Sequence, residues 1–159
     1  MFQTRDITLV QQLTELHAVE SLVLRVLELG SGVAADGAAA EVYAAHARQT
    51  RGHLRLIRER LAAHDAPVPG PEGDGIRGGV LRFELDDMEV TSPEGVAVAA
   101  YTLENLEIGL YHVLSGLARQ SHDHQTEIMA HQILEQEENA AELIASRLEH
   151  VSVPGCPDR

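Results

Sequence analysis

The chain has 159 residues, 44% of them hydrophobic, a size and composition suited to one domain that buries its own core. Twelve basic residues, all Arg, stand against 25 acids for a net charge of −13, so a phosphate backbone would be repelled overall. With two Phe, three Tyr and no Trp, the chain also lacks the stacking platforms that hold single strands, and no nucleic-acid partner is expected.

The lone Cys156 lies between Pro154 and Pro157 and has no partner for an internal disulfide or a thiolate cluster, which fits a reducing compartment. The first residues reach Arg5 before any apolar run, and no stretch approaches the ~20 apolar residues that cross a bilayer. A cytoplasmic protein with no membrane partner is expected.

In chain order, apolar residues recur at helical spacing from Asp6 to Leu29, through Leu9, Leu13, Leu16, Val23 and Leu27, and Gly30 is read as the stop. A second helix is expected from about Ala38 to His64, with Asp36 as its N-cap and Val42, Leu54, Ile57 and Leu61 on its stripe. Ser92-Pro93-Glu94 begins a third, with a capping Ser, Pro in the first turn and an acid at the positive end of the dipole, running to about Arg119. The fourth carries Ile128, Leu134, Ile144 and Leu148 and ends near His150, before Pro154.

Four helices of similar length suit a bundle. The connections between helices one and two and between three and four are short, whereas residues 65–93 form a long crossover holding an amphipathic piece, Ile76 to Leu85, read as a short extra helix. A long central crossover is the ferritin-like topology, so the fold expected is all-α: a ferritin-like bundle over 1–150 and a tail over 151–159. A shift of 87 residues lays Leu16, Glu20 and Leu27 on Leu103, Glu107 and Leu114, and Leu56-Ile57 and Leu61 on Leu143-Ile144 and Leu148. The offset suggests two copies of one helical hairpin; matching Leu positions alone would arise in any regular bundle, so the matched acids are the informative part.

Glu20 and Glu107 fall inside the apolar stripes, where a carboxylate needs a cation, a shared proton or a metal, and no Arg lies on those seams. His17 precedes Glu20 by one turn and Glu104 precedes Glu107 likewise. The second helix places His46, Gln49, Thr50 and His53 on its inward stripe, and the fourth offers His131, Glu135, Glu137 and Glu138 at that level. Carboxylates and imidazoles gathered from four helices are the donor set of a di-iron or di-manganese centre. The ideal form has Glu-x-x-His on two helices; here no Glu precedes His53 at that spacing, and Ala140 and Ala141 follow the acids of the fourth. His17 and His46 are read as semi-buried polar residues, His122-Asp123-His124 as a surface turn, and Arg48, Arg51, Arg55 and Arg58 as an exterior stripe suited to the acids of a second copy.

In Leu16-His-Ala-Val-Glu20, in His46 with Thr50-Arg-Gly-His53, in Ile76-Arg-Gly-Gly-Val-Leu, in Leu103-Glu-Asn-Leu-Glu-Ile-Gly-Leu-Tyr111 and in Leu134-Glu-Gln-Glu-Glu-Asn, the chain resembles the YciE/YciF-type ferritin-like stress proteins of bacteria. The resemblance implies a ferritin-like bundle, a homodimer, and a di-iron-type site built by glutamates of all four helices, with Glu20, Glu107 and Glu137 in matching positions. It departs where Arg48-Gln49 and Ala141 stand in place of acids. The expected metal set is therefore Glu20, Gln49, His53, Glu104, Glu107, Glu137 and Glu138, holding iron as a di-iron or depleted mononuclear site, with manganese as second candidate. The function expected is metal binding in stress, with consumption of peroxide or oxygen; the alternative is a metal-free helical dimer acting through interactions.

Overall fold

The computed structural model describes residues 4–34, 36–70 and 92–148. The expected extra helix, Ile76 to Leu85, and the tail 151–159 lie outside the described residues. Four helices follow in order: α1 Thr4–Val33, α2 Gly37–Ala63, α3 Pro93–Gln120 and α4 His124–Leu148.

The caps explain where three of them begin. Asp36, extended in its backbone, accepts from the Ala39 amide at 2.7 Å to open α2. Ser92 does the same for Gly95 at 3.0 Å, with Pro93 supplying a pre-set φ and no unused N–H. Asp123 opens α4 by accepting from the Thr126 amide, and its carboxylate also takes bonds from Arg60 at 2.9 Å and His64 at 2.8 Å, which ties the end of α2 to the start of α4. His122 and His124 beside it are exposed, and the turn is a cap.

Gly30 does not stop the first helix. It is buried inside α1, and a Cβ there would lie 2.8 Å from Val96 Cγ1 and 3.0 Å from the Tyr43 ring. Glycine is present because three helices meet at that point, not because the backbone must turn.

Two apolar clusters lie at opposite ends of the bundle. One joins Val26 and Leu27 of α1 to Tyr43 of α2, Val96 and Leu103 of α3, and Ile144 of α4. The other joins Leu9 and Leu13 to Ile57 and Leu61, to Leu114 and Ala118, and to Met129 and Ile133. Neighbours α1 and α2, α3 and α4, and α1 and α3 thus run antiparallel, while α2 and α3 run parallel. Since α2 finishes at the end opposite to where α3 starts, the two cannot be joined by a tight turn, and the long crossover follows from helix direction. The α2–α4 seam is the most open of the four.

Candidate metal centre

Between the two clusters lies a layer in which the inward-facing positions are polar. Glu20 of α1, His46 and His53 of α2, Glu104 and Glu107 of α3 and Glu137 of α4 are all buried, the four carboxylates with no exposed surface. The helical period explains this. His46 and His53 are two turns apart on one face, and Glu104 and Glu107 one turn apart, so each helix delivers its groups at one level between apolar residues that hold the backbone.

The groups converge as two triads that share one member. His53 Nδ1 lies 2.7 Å from Glu137 Oε1 and 3.3 Å from Glu20 Oε1. His46 Nε2 lies 2.9 Å from Glu104 Oε2 and 3.2 Å from Glu137 Oε2. Glu137 therefore turns one oxygen to each triad, and each triad gathers its three ligand atoms within 4.8 Å of one another, as a bound cation requires. Glu107 completes the layer, and both of its oxygens are buried without a hydrogen bond. Glu20 Oε2 and Glu104 Oε1 also lack one, and the oxygens of Glu137 meet the two imidazoles. Tyr111, one turn beyond Glu107, donates its hydroxyl proton to Glu20 Oε1.

The electrostatics of the metal-free layer are those of charges crowded in a dry core. Burial pushes Glu107 well above the usual carboxylate range, and the charges of Glu20, Glu137 and Glu104 push it further. Glu20 and Glu104 are raised by burial as well, against the opposing pull of His53 and His46 respectively. Burial also acts against Glu137 ionising, but contacts with both imidazoles outweigh it and hold the carboxyl below its ordinary value. For His46 and His53 burial favours the neutral form, yet the surrounding carboxylates prevail and raise them to about 11 and about 10. In metal-free protein the layer is held by protons. Ionised, its four carboxylates carry −4, the charge of two divalent cations with opposite sign, and their orphaned oxygens fit that donor demand.

Of the expected ligands, Glu20, His53, Glu104, Glu107 and Glu137 are brought together. Glu138 is exposed: adjacent residues point about 100° apart around a helix, so Glu137 and Glu138 cannot both face the core. Gln49 is exposed as well; its Oε1 accepts from His46 Nδ1 at 3.0 Å, placing it behind a histidine and not among the converging atoms. His46, expected to be semi-buried, is a full member of a triad. Its spacing of seven from His53 was the available signal. His17 is likewise buried, at 1% exposure, but joins neither triad. In the arginine stripe, Arg48 meets Glu41, Arg51 meets Glu28 and Arg55 approaches Glu59, all within the chain.

The 87-residue offset lays Thr50 on Glu137 and His53 on Ala140. At these two spacings of three, α2 has an imidazole without the carboxylate and α4 a carboxylate without the imidazole.

Among solved structures, the fold is similar to the Escherichia coli stress protein YciF, at 16% identity over 95% of this chain and 100% of that one, TM-score 0.70. It is similar also to a ferritin-like, diiron-carboxylate protein of Bacillus anthracis, at 12% identity over 92% and 99%, TM-score 0.77. A third is a dodecameric thioferritin of Bacteroides fragilis related to bacterioferritin, at 19% identity over 92% and 87%, TM-score 0.71. At these identities the likeness shows the ferritin-like four-helix bundle. No curated protein matches the sequence. Residues 4–153 match the family described as a domain of unknown function, DUF892, and the chain belongs to that family.

Proposed function

We propose that the protein binds two divalent transition-metal ions, iron foremost and manganese second, between the four helices, and uses them to consume peroxide or oxygen under stress. The observation that carries this reading is the sharing of Glu137 between two buried triads, with four further carboxylate oxygens of the layer, from Glu20, Glu104 and Glu107, lacking hydrogen-bond partners. A carboxylate layer meant only for structure would satisfy those oxygens with Arg or amide donors.

The residues divide the work. Glu20, His53 and Glu137 would hold one ion, and His46, Glu104 and Glu137 the other, with Glu107 supplying a further carboxylate. Hard carboxylate and borderline imidazole donors suit iron, manganese and zinc over copper(I) or calcium. The chemistry such an iron pair supplies when bound is two electrons, one from each ion, which with two protons reduce one hydrogen peroxide to two waters. Around it, Leu16, Ile57, Leu103 and Ile133, each at most 1% exposed, exclude bulk water. His46 and His53, protonated in the metal-free layer, give up protons as ligation proceeds.

Homodimer assembly and a cytoplasmic location belong to the same reading. Exposed Val98 and Tyr101 on α3 and Ile128 and Leu143 on α4 supply apolar surface for a second copy. Protein purified without chelator should carry iron or manganese at up to about two equivalents per chain, the number the two triads accommodate. Anaerobic protein loaded with Fe(II) should then consume hydrogen peroxide or oxygen. Protein that holds no metal and shows no thermal shift with Fe(II) or Mn(II) would instead be a helical interaction protein.

A further inference from the structure

The two histidines face the metal layer with different nitrogens, and each has its other nitrogen engaged by a glutamine. Gln49 Oε1 lies 3.0 Å from His46 Nδ1, and Gln136 Oε1 lies 3.0 Å from His53 Nε2. An amide oxygen only accepts, so the ring nitrogen opposite it carries the proton. When each imidazole gives up its second proton to ligation, the nitrogen freed is Nε2 of His46, which faces Glu104 and Glu137, and Nδ1 of His53, which faces Glu137 and Glu20. The rings stand edge to face, 6.4 Å between centroids and 67° between planes.

The two glutamines reach their histidines differently. Gln49 lies one turn after His46 on α2, whereas Gln136 comes from α4 and crosses the open seam to His53. Both line the two surface cavities of that seam, about 540 and 610 Å³, whose inner walls include His46 and His53 respectively. They are polar groups that both line these cavities and touch the two rings.

We propose that Gln49 and Gln136 are positioning residues that fix opposite tautomers of the two histidines, so that His46 ligates metal through Nε2 and His53 through Nδ1. This rests on the two-metal reading. Outer partners of this kind orient the imidazole and set which nitrogen is free, and their loss weakens metal binding by roughly 10- to 100-fold.

The test uses zinc, which is diamagnetic, and protein labelled with 15N at histidine. Long-range 1H–15N correlation on the Zn(II)-loaded protein should show one ring ligating through Nε2 with a protonated Nδ1, and a second ligating through Nδ1 with a protonated Nε2. Gln49→Leu and Gln136→Leu should each lower Zn(II) affinity, read by competition with a chelator, by about 10- to 100-fold. Gln136→Glu, which keeps an acceptor at the same place, should retain it. Melting temperatures of the chelated variants should stay at the wild-type value, since both glutamines are at the rim. Two rings ligating through the same nitrogen, or Leu variants that bind zinc as wild type does, would overturn the tautomer proposal and leave the metal reading standing. Wild-type protein that takes up no zinc, iron or manganese would overturn both.

Discussion

His53 Nδ1 and Glu137 Oε1 approach to 2.7 Å across the α2–α4 seam, the widest in the bundle. The approach brings an imidazole of α2 and a carboxylate of α4 together from positions where neither helix has both. On α2 the carboxylate position is Thr50, whose hydroxyl donates back to the His46 carbonyl at 3.1 Å, and on α4 the imidazole position is Ala140. His46 of α2 and Glu104 of α3 supply a second imidazole–carboxylate contact at 2.9 Å.

If Glu137 is the shared ligand, Glu137→Ala removes a donor from both triads at once. Metal content measured by elemental analysis should fall below one equivalent per chain, against about two for wild type. Glu138→Ala, one residue on but exposed, should leave it unchanged.

Glu107 has both oxygens buried and unbonded, so in metal-free protein its carboxyl destabilises the fold. Glu107→Leu should raise the stability of chelator-treated protein at pH 7 by about 1 to 4 kcal/mol, as for other buried charges exchanged for apolar groups. In the same variant the rise in melting temperature on adding Mn(II) should shrink or vanish. Glu20→Leu should gain less, because it leaves the buried Tyr111 hydroxyl without its acceptor.

The metal-free protein should become less stable as pH rises above neutrality. His46 and His53 are raised to about 11 and about 10, so the folded state binds protons that the unfolded chain has released above about 6.5. Their contribution is fully present below about pH 6.5 and is lost as pH climbs through the folded values, at no more than roughly 1.4 kcal/mol per pH unit for each imidazole. Glu107, raised by burial, acts in the same direction from above its unfolded value. Metal binding must expel these protons, so Mn(II) affinity should rise with pH over the same window. Chelated and Mn(II)-loaded samples melted from pH 5.5 to 9 should therefore diverge, the first falling and the second holding.

Gly30→Ala should destabilise the bundle by about 1 to 3 kcal/mol, the usual cost of forcing an extra carbon into a packed core. Its Cβ would meet Val96 and Tyr43, both buried in the same apolar cluster. The same substitution at Gly52 or Gly109, where an added Cβ meets nothing within 4 Å, should be neutral or stabilising through helix propensity. Urea titrations of the three variants check this.

Much of the fold was legible without coordinates, because periodicity, caps and loop lengths are local properties. Apolar spacing marked α1 through α4, and Asp36 and Ser92 behave as the caps their residue types suggest. The inward placement of Glu20, Glu104 and Glu107 was also readable, since a residue's position within a helical stripe depends only on its own helix. What required the tertiary structure was every decision made between helices. Gly30 reads locally as a stop, yet its role depends on Val96 and Tyr43 arriving from α3 and α2. The acidic run of α4 offers Glu135, Glu137 and Glu138, and only the rotation of α4 against α3 selects Glu137. His46 gains its place from Glu104, 58 residues away, and the nitrogen each imidazole turns to the layer depends on where Gln49 and Gln136 end. A stripe tells which side chains face inward; the relative height and rotation of four packed helices decide which of them meet.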